Sequence, residues 1–304
     1  MDIGSKKFWK LVFSLVYVKN RMWNNFQHWL YTIIHHEDPI IDIHNYTMKL
    51  DLTDQGISKD LLFIRNREFF SIQYVKSTVK EEDVVIDIGA NIGYYALIEA
   101  PQCKIVYAIE PVSVNYQRLK TNISLNNMKI ETIQCAVGSF NGHDDIFINK
   151  GCNWSSFTTC DNVDTIGHEQ VEIHTLDTLI RDFEIPQPTF VRMDVEGYES
   201  EIIKGASNTL KLPNLKLFIE FHPEFLMPIN DRDEMINTLK ANGFVIKKIF
   251  FEPESWNYKS MQFLNWVGKK LGYIEYGEHN PTYDELIRIL DAGGNSEVFL
   301  EKQL

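Results

Sequence analysis

The stretch VVIDIGANIGYYALIEA occupies residues 84–100. Val84–Ile88 is a short apolar run of the kind that forms a buried strand, and a helix follows it. Between the two stand Gly89, Ala90, Asn91, Ile92 and Gly93. Glycine weakens regular structure and is used where the backbone turns tightly or meets another group closely. The cluster therefore predicts a strand–turn–helix unit with something pressed near its backbone. In an open α/β sheet such a turn lies beyond the carboxyl end of its strand, where ligands bind. The helix start behind it offers N–H groups with no intrahelical partner.

Two classes of cofactor use this kind of turn. A dinucleotide favours G-x-G-x-x-G, with its pyrophosphate at the helix N-terminus. Here the pattern is D-x-G-x-N-x-G, from Asp87 to Gly93. A carboxylate at Asp87 repels a pyrophosphate and attracts a cation. S-adenosylmethionine carries a sulfonium and an ammonium group and no phosphate, so the acidic turn favours it over a nicotinamide dinucleotide. Further along, Glu110 closes VYAIEP, where an acid can hold two ribose hydroxyls. Ala136 and Val137 in CAVG are placed to line an adenine.

Outward from this unit, strands and helices alternate. Strands are predicted at Val84–Ile88, Lys104–Ile109, Glu131–Ala136, 190–194, Leu215–Phe221, Phe244–Phe251 and in SEVFLEK, with helical patterns between them. Thr282 and Glu285 form a capping box for a helix running to Leu290. This alternation predicts a doubly wound α/β fold with a mostly parallel seven-stranded sheet. Residues 139–175 break the rhythm. They are rich in Asn, Asp, Ser, Gly and Thr and read as a small antiparallel insertion or flap, in which Trp154 could stack on a sugar face. Residues 46–304 are assigned to this catalytic domain and residues 1–45 to a helical extension.

The chain has 304 residues, a net charge of −12, 44% hydrophobic and 24% charged residues. Such an acidic balance argues against a general nucleic-acid binder. The four cysteines, Cys103, Cys135, Cys152 and Cys160, form no CxxC pair, which argues against structural zinc. They read as free thiols in a reducing, cytoplasmic compartment. The N-terminal segment is aromatic and apolar yet basic. Its longest uncharged run, Leu11–Val18, is far short of the roughly 20 residues that span a bilayer. It is expected to pack as one or two helices on the main domain or on a second subunit. The alternative is an amphipathic helix lying on a membrane surface.

Taken in order, VVIDIGANIGYY, AIEPVSVNYQRLKTNISLNN, CAVG, TLDTLI, FVRMDVEGYESEIIKGA and IEFHPE resemble the FkbM family of class I S-adenosylmethionine-dependent methyltransferases. The resemblance covers roughly residues 46–225, and DVEG followed by E…KGA is its most specific part. It implies that Asp87, Gly89, Asn91 and Gly93 surround the methionine and ribose portions of the cofactor. By the same resemblance Glu110 takes the ribose hydroxyls, Asn115 supports that side, and Ala136 and Val137 flank the adenine. Family members usually methylate hydroxyls of sugars, polyketides or other small metabolites. The aromatic N-terminus and residues 252–281 depart from many relatives.

An alcohol is a poor nucleophile at neutral pH, so a base or a metal is expected to help. Asp194, Glu196, Glu220 and His222 cluster at two predicted strand ends. His222 is the first candidate base, because its ordinary pKa lies near neutrality. Asp194 and Glu196 are alternatives if burial or a like charge raises them. Asp194 and Glu220 could instead share a divalent cation such as magnesium, though their spacing is not diagnostic and no metal is expected. A nicotinamide-dependent enzyme and a non-catalytic binding protein are the competing functions. The implied partners are a small-molecule or glycan acceptor and, for the N-terminus, a membrane surface or another copy of the chain.

Overall fold

The computed structural model describes residues 3–54, 56–149, 155–157, 165–222, 228–250, 260, 263, 281–292 and 296–303. The chain divides into two compact units, residues 1–70 with 252–279 and residues 71–251 with 280–304. In the first unit, α1 (Ile3–Ile34) is a single 32-residue helix. Strands β1 (Ile40–Ile43) and β2 (Tyr46–Lys49) form an antiparallel hairpin, and α2 (Ile57–Ile64) follows. Arg65 ends α2 in the left-handed region at φ 61, so the helical stretch over residues 57–78 comes in two pieces. The second piece is α3 (Phe69–Thr78). Residues 38–68 belong with α1 because α2 packs on it. Asn24 Nδ2 donates to Asp60 at 3.4 Å, and the His28 ring meets Phe63 edge-on.

The second unit holds the sheet that the alternation predicts. Its strands are β3 (Val84–Ile88), β4 (Ile105–Ile109), β5 (Ile130–Ile133), β10 (Phe190–Met193), β11 (Lys216–Phe221), β12 (Phe244–Phe250) and β13 (Ser296–Lys302). Their order is β12-β13-β11-β10-β3-β4-β5, and only β13 runs antiparallel to its neighbours. From β3 the chain winds outward through β4 and β5. It then returns to the other side of β3 with β10 and β11. The strand order thus reverses between β3 and β10.

Period-two alternation gives the sheet two unlike faces. Ile86, Ile88, Val191, Met193, Leu217, Ile219 and Val298 share one apolar face. It is covered by α6 (Leu176–Asp182), α7 (Glu199–Lys204), α8 (Ile229–Ala241) and α9 (Tyr283–Asp291), through residues such as Leu179, Ile202, Leu239 and Leu286. The opposite face alternates apolar and charged positions. Phe190, Phe218 and Phe299 pack there with Tyr74 of α3 and Tyr95 of α4 (Tyr94–Glu99). On that same face Arg192 stands opposite Asp87, and Glu220 opposite Glu297. The capping box at Thr282 forms as expected, its hydroxyl accepting the Glu285 N–H at 3.2 Å.

The expected third strand ends sooner than its pattern suggests. β5 stops at Ile133, and Ala136–Gly138 is a separate strand, β6, in a second sheet. There β6 runs parallel to β9 (Thr165–Thr175), β9 pairs antiparallel with β7 (Gly142–Asn149), and β7 with β8 (Ser155–Ser156). The polar insertion is thus largely an antiparallel ladder. Cys103 and Cys135 are buried free thiols. Trp154, Cys152 and Cys160 lie outside the described residues, as does most of 252–281.

Candidate active site

The site grows from the turn after β3. Gly89, Asn91 and Gly93 all have positive φ, at 82, 53 and 92. The amides of Gly89 and Ala90 donate to the Ile109 carbonyl at 3.0 and 2.9 Å, binding the turn to the end of β4. A Cβ at Gly89 would stand 2.0 Å from the backbone oxygen of Asp194, and one at Gly93 would stand 2.8 Å from Leu119 Cδ1. The close approach signalled by the glycines is therefore made by the protein itself. At Gly89 it locks the end of β3 against the end of β10, where the strand order reverses.

Glu110 is 5% exposed and completes this side. It accepts hydrogen bonds from Asn91 N at 2.9 Å and Val112 N at 3.0 Å, one on each carboxylate oxygen. The Asn115 side chain bonds to it as well. Asn115 is buried at the start of α5 (Ser113–Ser124). Burial pushes the Glu110 carboxyl up to about 7, although these donors pull it down. Ala136 and Val137 are each 3% exposed and packed into the apolar clusters on either side of β6.

Asp87 sits differently from the sequence argument. Its carboxylate is fully buried, with one oxygen 3.1 Å from Arg192 Nη1. The same guanidinium reaches Asp194 through Nη2 at 2.8 Å and lies 3.7 Å from the centre of the Tyr95 ring. Tyr95 donates to Glu297 at 3.1 Å, and Ser71 also donates to Glu297. Asp87 is thus partnered by a guanidinium within the sheet instead of opening toward a ligand. Burial raises its pKa against the pull of Arg192. Glu99, fully buried beside them, has no hydrogen-bond partner for either oxygen among the described residues. Burial, reinforced by Asp87, holds Glu99 well above the usual carboxylate range.

Across the reversal, β10 and β11 end in a charged cluster. Glu196 (φ 56) and Gly197 (φ 98) form a left-handed turn after β10. Glu199 holds that turn by accepting the Val195 N–H at 3.0 Å. His222, 1% exposed, lies between carboxylates. Its Nε2 is 3.3 Å from Glu196 and 3.9 Å from Glu220, and its Nδ1 is 3.2 Å from Glu199. Burial alone would lower its pKa, but Glu199, Glu196 and Glu220 together lift it well above the ordinary value. An imidazolium has no lone pair to accept a proton. With its pKa lifted in this way, His222 is better suited to clamping these carboxylates than to taking a proton. Burial would raise Asp194, yet Arg192, His222 and a hydrogen bond with Glu220 hold it below the usual range. Asp194, Glu196 and Glu220 keep 23%, 30% and 19% of their side chains exposed.

Three groups here could gather a cation: one ligand atom each of Asp194, Glu220 and His222 lie within 4.8 Å of one another. For a metal to bind, His222 would first have to lose its proton. At the rim, Phe157 of the insertion stacks on Tyr198 with ring centres 4.4 Å apart. Sequence reasoning brought together Asp194, Glu196, Glu220 and His222, and separately the Asp87–Gly93 turn with Glu110 and Asn115. It missed Arg192, Tyr95, Glu99, Glu199 and Glu297.

The model of the methyltransferase FkbM domain matches residues 87–246. The hexuronic acid methyltransferase AglP of Haloferax volcanii is 30% identical over 151 residues, which are 50% of this chain and 61% of that protein. The chain thus spans less than two thirds of that relative. Among solved structures, a methyltransferase FkbM from Methylobacillus flagellatus is 18% identical, with a TM-score of 0.38 over 63% of this chain and 49% of that one. TYW2 of M. jannaschii, in complex with AdoMet, is 15% identical, with a TM-score of 0.42 over 88% and 87%. Both overlays are loose. The family model covers more than half of the sequence and includes both strand ends that build the site, and on that ground the chain belongs to the FkbM methyltransferase family.

Proposed function

We propose that the protein is an S-adenosylmethionine-dependent O-methyltransferase whose acceptor is a hydroxyl on a sugar, a glycan or glycolipid, or another small metabolite. The observation that carries this is the meeting of two unlike strand ends at the reversal between β3 and β10. One side offers a glycine turn and a buried acid, the other a cluster of partly exposed carboxylates. The donor set fits the cofactor: Glu110 can accept from ribose hydroxyls, and Asp194 with Glu220 favours a cation. When bound, S-adenosylmethionine supplies an electrophilic methyl group on a sulfonium.

The chain's own residues do the rest. Glu110 and the turn from Gly89 to Gly93 orient the nucleoside, and Asp87 with Arg192 holds that turn in register with β10. Glu196, the most exposed carboxylate of the cluster, takes the proton of the acceptor hydroxyl. His222 aims it through Nε2. Phe157 and Tyr198 give the rim an aromatic edge suited to a sugar face. AglP acts on a hexuronic acid by its name, so uronic-acid-bearing glycans are the first acceptors to test. Labelled methyl transfer from S-adenosylmethionine to such glycans, with linkage analysis of the product, is the direct test. An ether methyl on a sugar oxygen supports the proposal. Transfer to carbon or nitrogen, or binding of NADH in place of S-adenosylmethionine, contradicts it.

A further inference from the structure

Helix α1 is amphipathic the wrong way round for a helix that only packs on its own protein. Its buried residues in the middle of the helix are polar: Asn24 and His28 are 3% and 5% exposed and face α2. Its outer face is apolar. Leu11, Leu15, Val18, Met22, Phe26 and Trp29 are between 47% and 67% exposed. Trp23 beside them is 60% exposed.

The spacing of these residues shows how the apolar face runs. Leu11 and Met22, Leu15 and Phe26, and Val18 and Trp29 are each 11 residues apart, while Leu15, Met22 and Trp29 follow one another at seven. Both spacings keep the side chains in one stripe along the helix. Such a stripe fits a flat surface as well as a second helix.

Charge decides between the two. The 32 residues of α1 carry five Lys or Arg and no Asp or Glu, in a chain of net charge −12. Two copies of α1 brought together would repel. An anionic surface would attract this helix and repel the acidic remainder. Tryptophan favours the boundary between water and lipid. No helix among the described residues is long and apolar enough to cross a membrane. We propose that α1 docks flat on an anionic lipid bilayer, with Leu11, Met22, Phe26 and Trp29 in the apolar boundary and its basic residues at the headgroups. This stands independently of the methyl-transfer proposal.

The test is co-sedimentation of the full chain with vesicles of phosphatidylcholine alone and of phosphatidylcholine mixed with phosphatidylglycerol. Binding should be at least about tenfold stronger to the anionic vesicles and should weaken with added salt. Trp23→Ala with Trp29→Ala, and separately Lys19→Glu with Arg21→Glu, should each cost at least about tenfold. Circular dichroism should show that both variants keep their helix. Equal binding to neutral and anionic vesicles, or none to either, overturns the proposal. So does a dimer in sedimentation velocity that Trp23→Ala with Trp29→Ala dissociates, because a second copy would then be the occupant.

Discussion

Glu110 and His222 are buried to similar depth, yet the protein treats their charges in opposite ways. Glu110 is met by backbone amides of Asn91 and Val112, which are dipoles fixed by the fold. Burial wins there, and its pKa is driven up to about 7. His222 is met by the carboxylates of Glu196, Glu199 and Glu220, and its pKa is lifted well above the ordinary value despite its burial. One side of the site is thus poised to titrate near neutrality, and the other is a fixed ionic cluster. A proton-sensitive acid suits reversible binding of hydroxyls. A fixed cluster suits the aiming of a carboxylate at one atom.

The largest effect should come from breaking the joint between the two sides. Gly89→Ala places a methyl group 2.0 Å from the Asp194 oxygen at φ 82. It should destabilise the protein by about 5 kcal/mol in denaturant unfolding. Gly243→Ala is the control, because Gly243 has φ 80 and open space around it. It isolates the backbone strain alone and should cost about 1 kcal/mol. Similar losses in the two variants would mean that the close contact with Asp194 does not join the two sides.

Arg192→Met tests the charge beneath the joint. It leaves Asp87 buried without its cation, and about 3–5 kcal/mol should be lost. Such a loss would be expected only with Asp87 ionised. A loss below about 1 kcal/mol would mean that Asp87 is neutral.

These two residues also show what could be read from the sequence. The strand positions, the seven-stranded sheet and the turn at Gly89 were legible because apolar runs and glycines report backbone states. Glu110 and His222 were legible as sites because they stand at strand ends. Their charge states were not, since these depend on partners that other strand ends and turns bring alongside, such as Asn91 for Glu110 and Glu196 for His222. Arg192 in FVRMD and Glu99 in YYALIEA did leave a signal. Each is a charge in an apolar pattern whose neighbours are all buried, which demands a partner or a lost charge. Glu199 left a fainter signal, because an acid in a first helical turn is ordinary. The break between Ile133 and Ala136 was invisible, because CAVG continues the apolar pattern of the strand before it.

His222→Asn tests the ionic cluster through pH. A histidine raised in the folded state adds stability that is fully present below its ordinary value of about 6.5 and is lost as pH rises through the folded value. The gap between wild type and His222→Asn should therefore be about 3 kcal/mol in mild acid and shrink at alkaline pH. A gap that grew with pH would show a neutral histidine and return it to the role of base.

The most direct test of the central claim is calorimetric titration of S-adenosylhomocysteine across pH, in wild type and Glu110→Gln. In the proposed role, Glu110 must be ionised to accept from both ribose hydroxyls at once. Wild-type affinity should accordingly fall by up to about tenfold for each pH unit below about 7. The variant should bind weakly and with little pH dependence. A wild-type affinity that stays level from about pH 6 to about pH 8, or a variant that binds as tightly as wild type, would contradict the account.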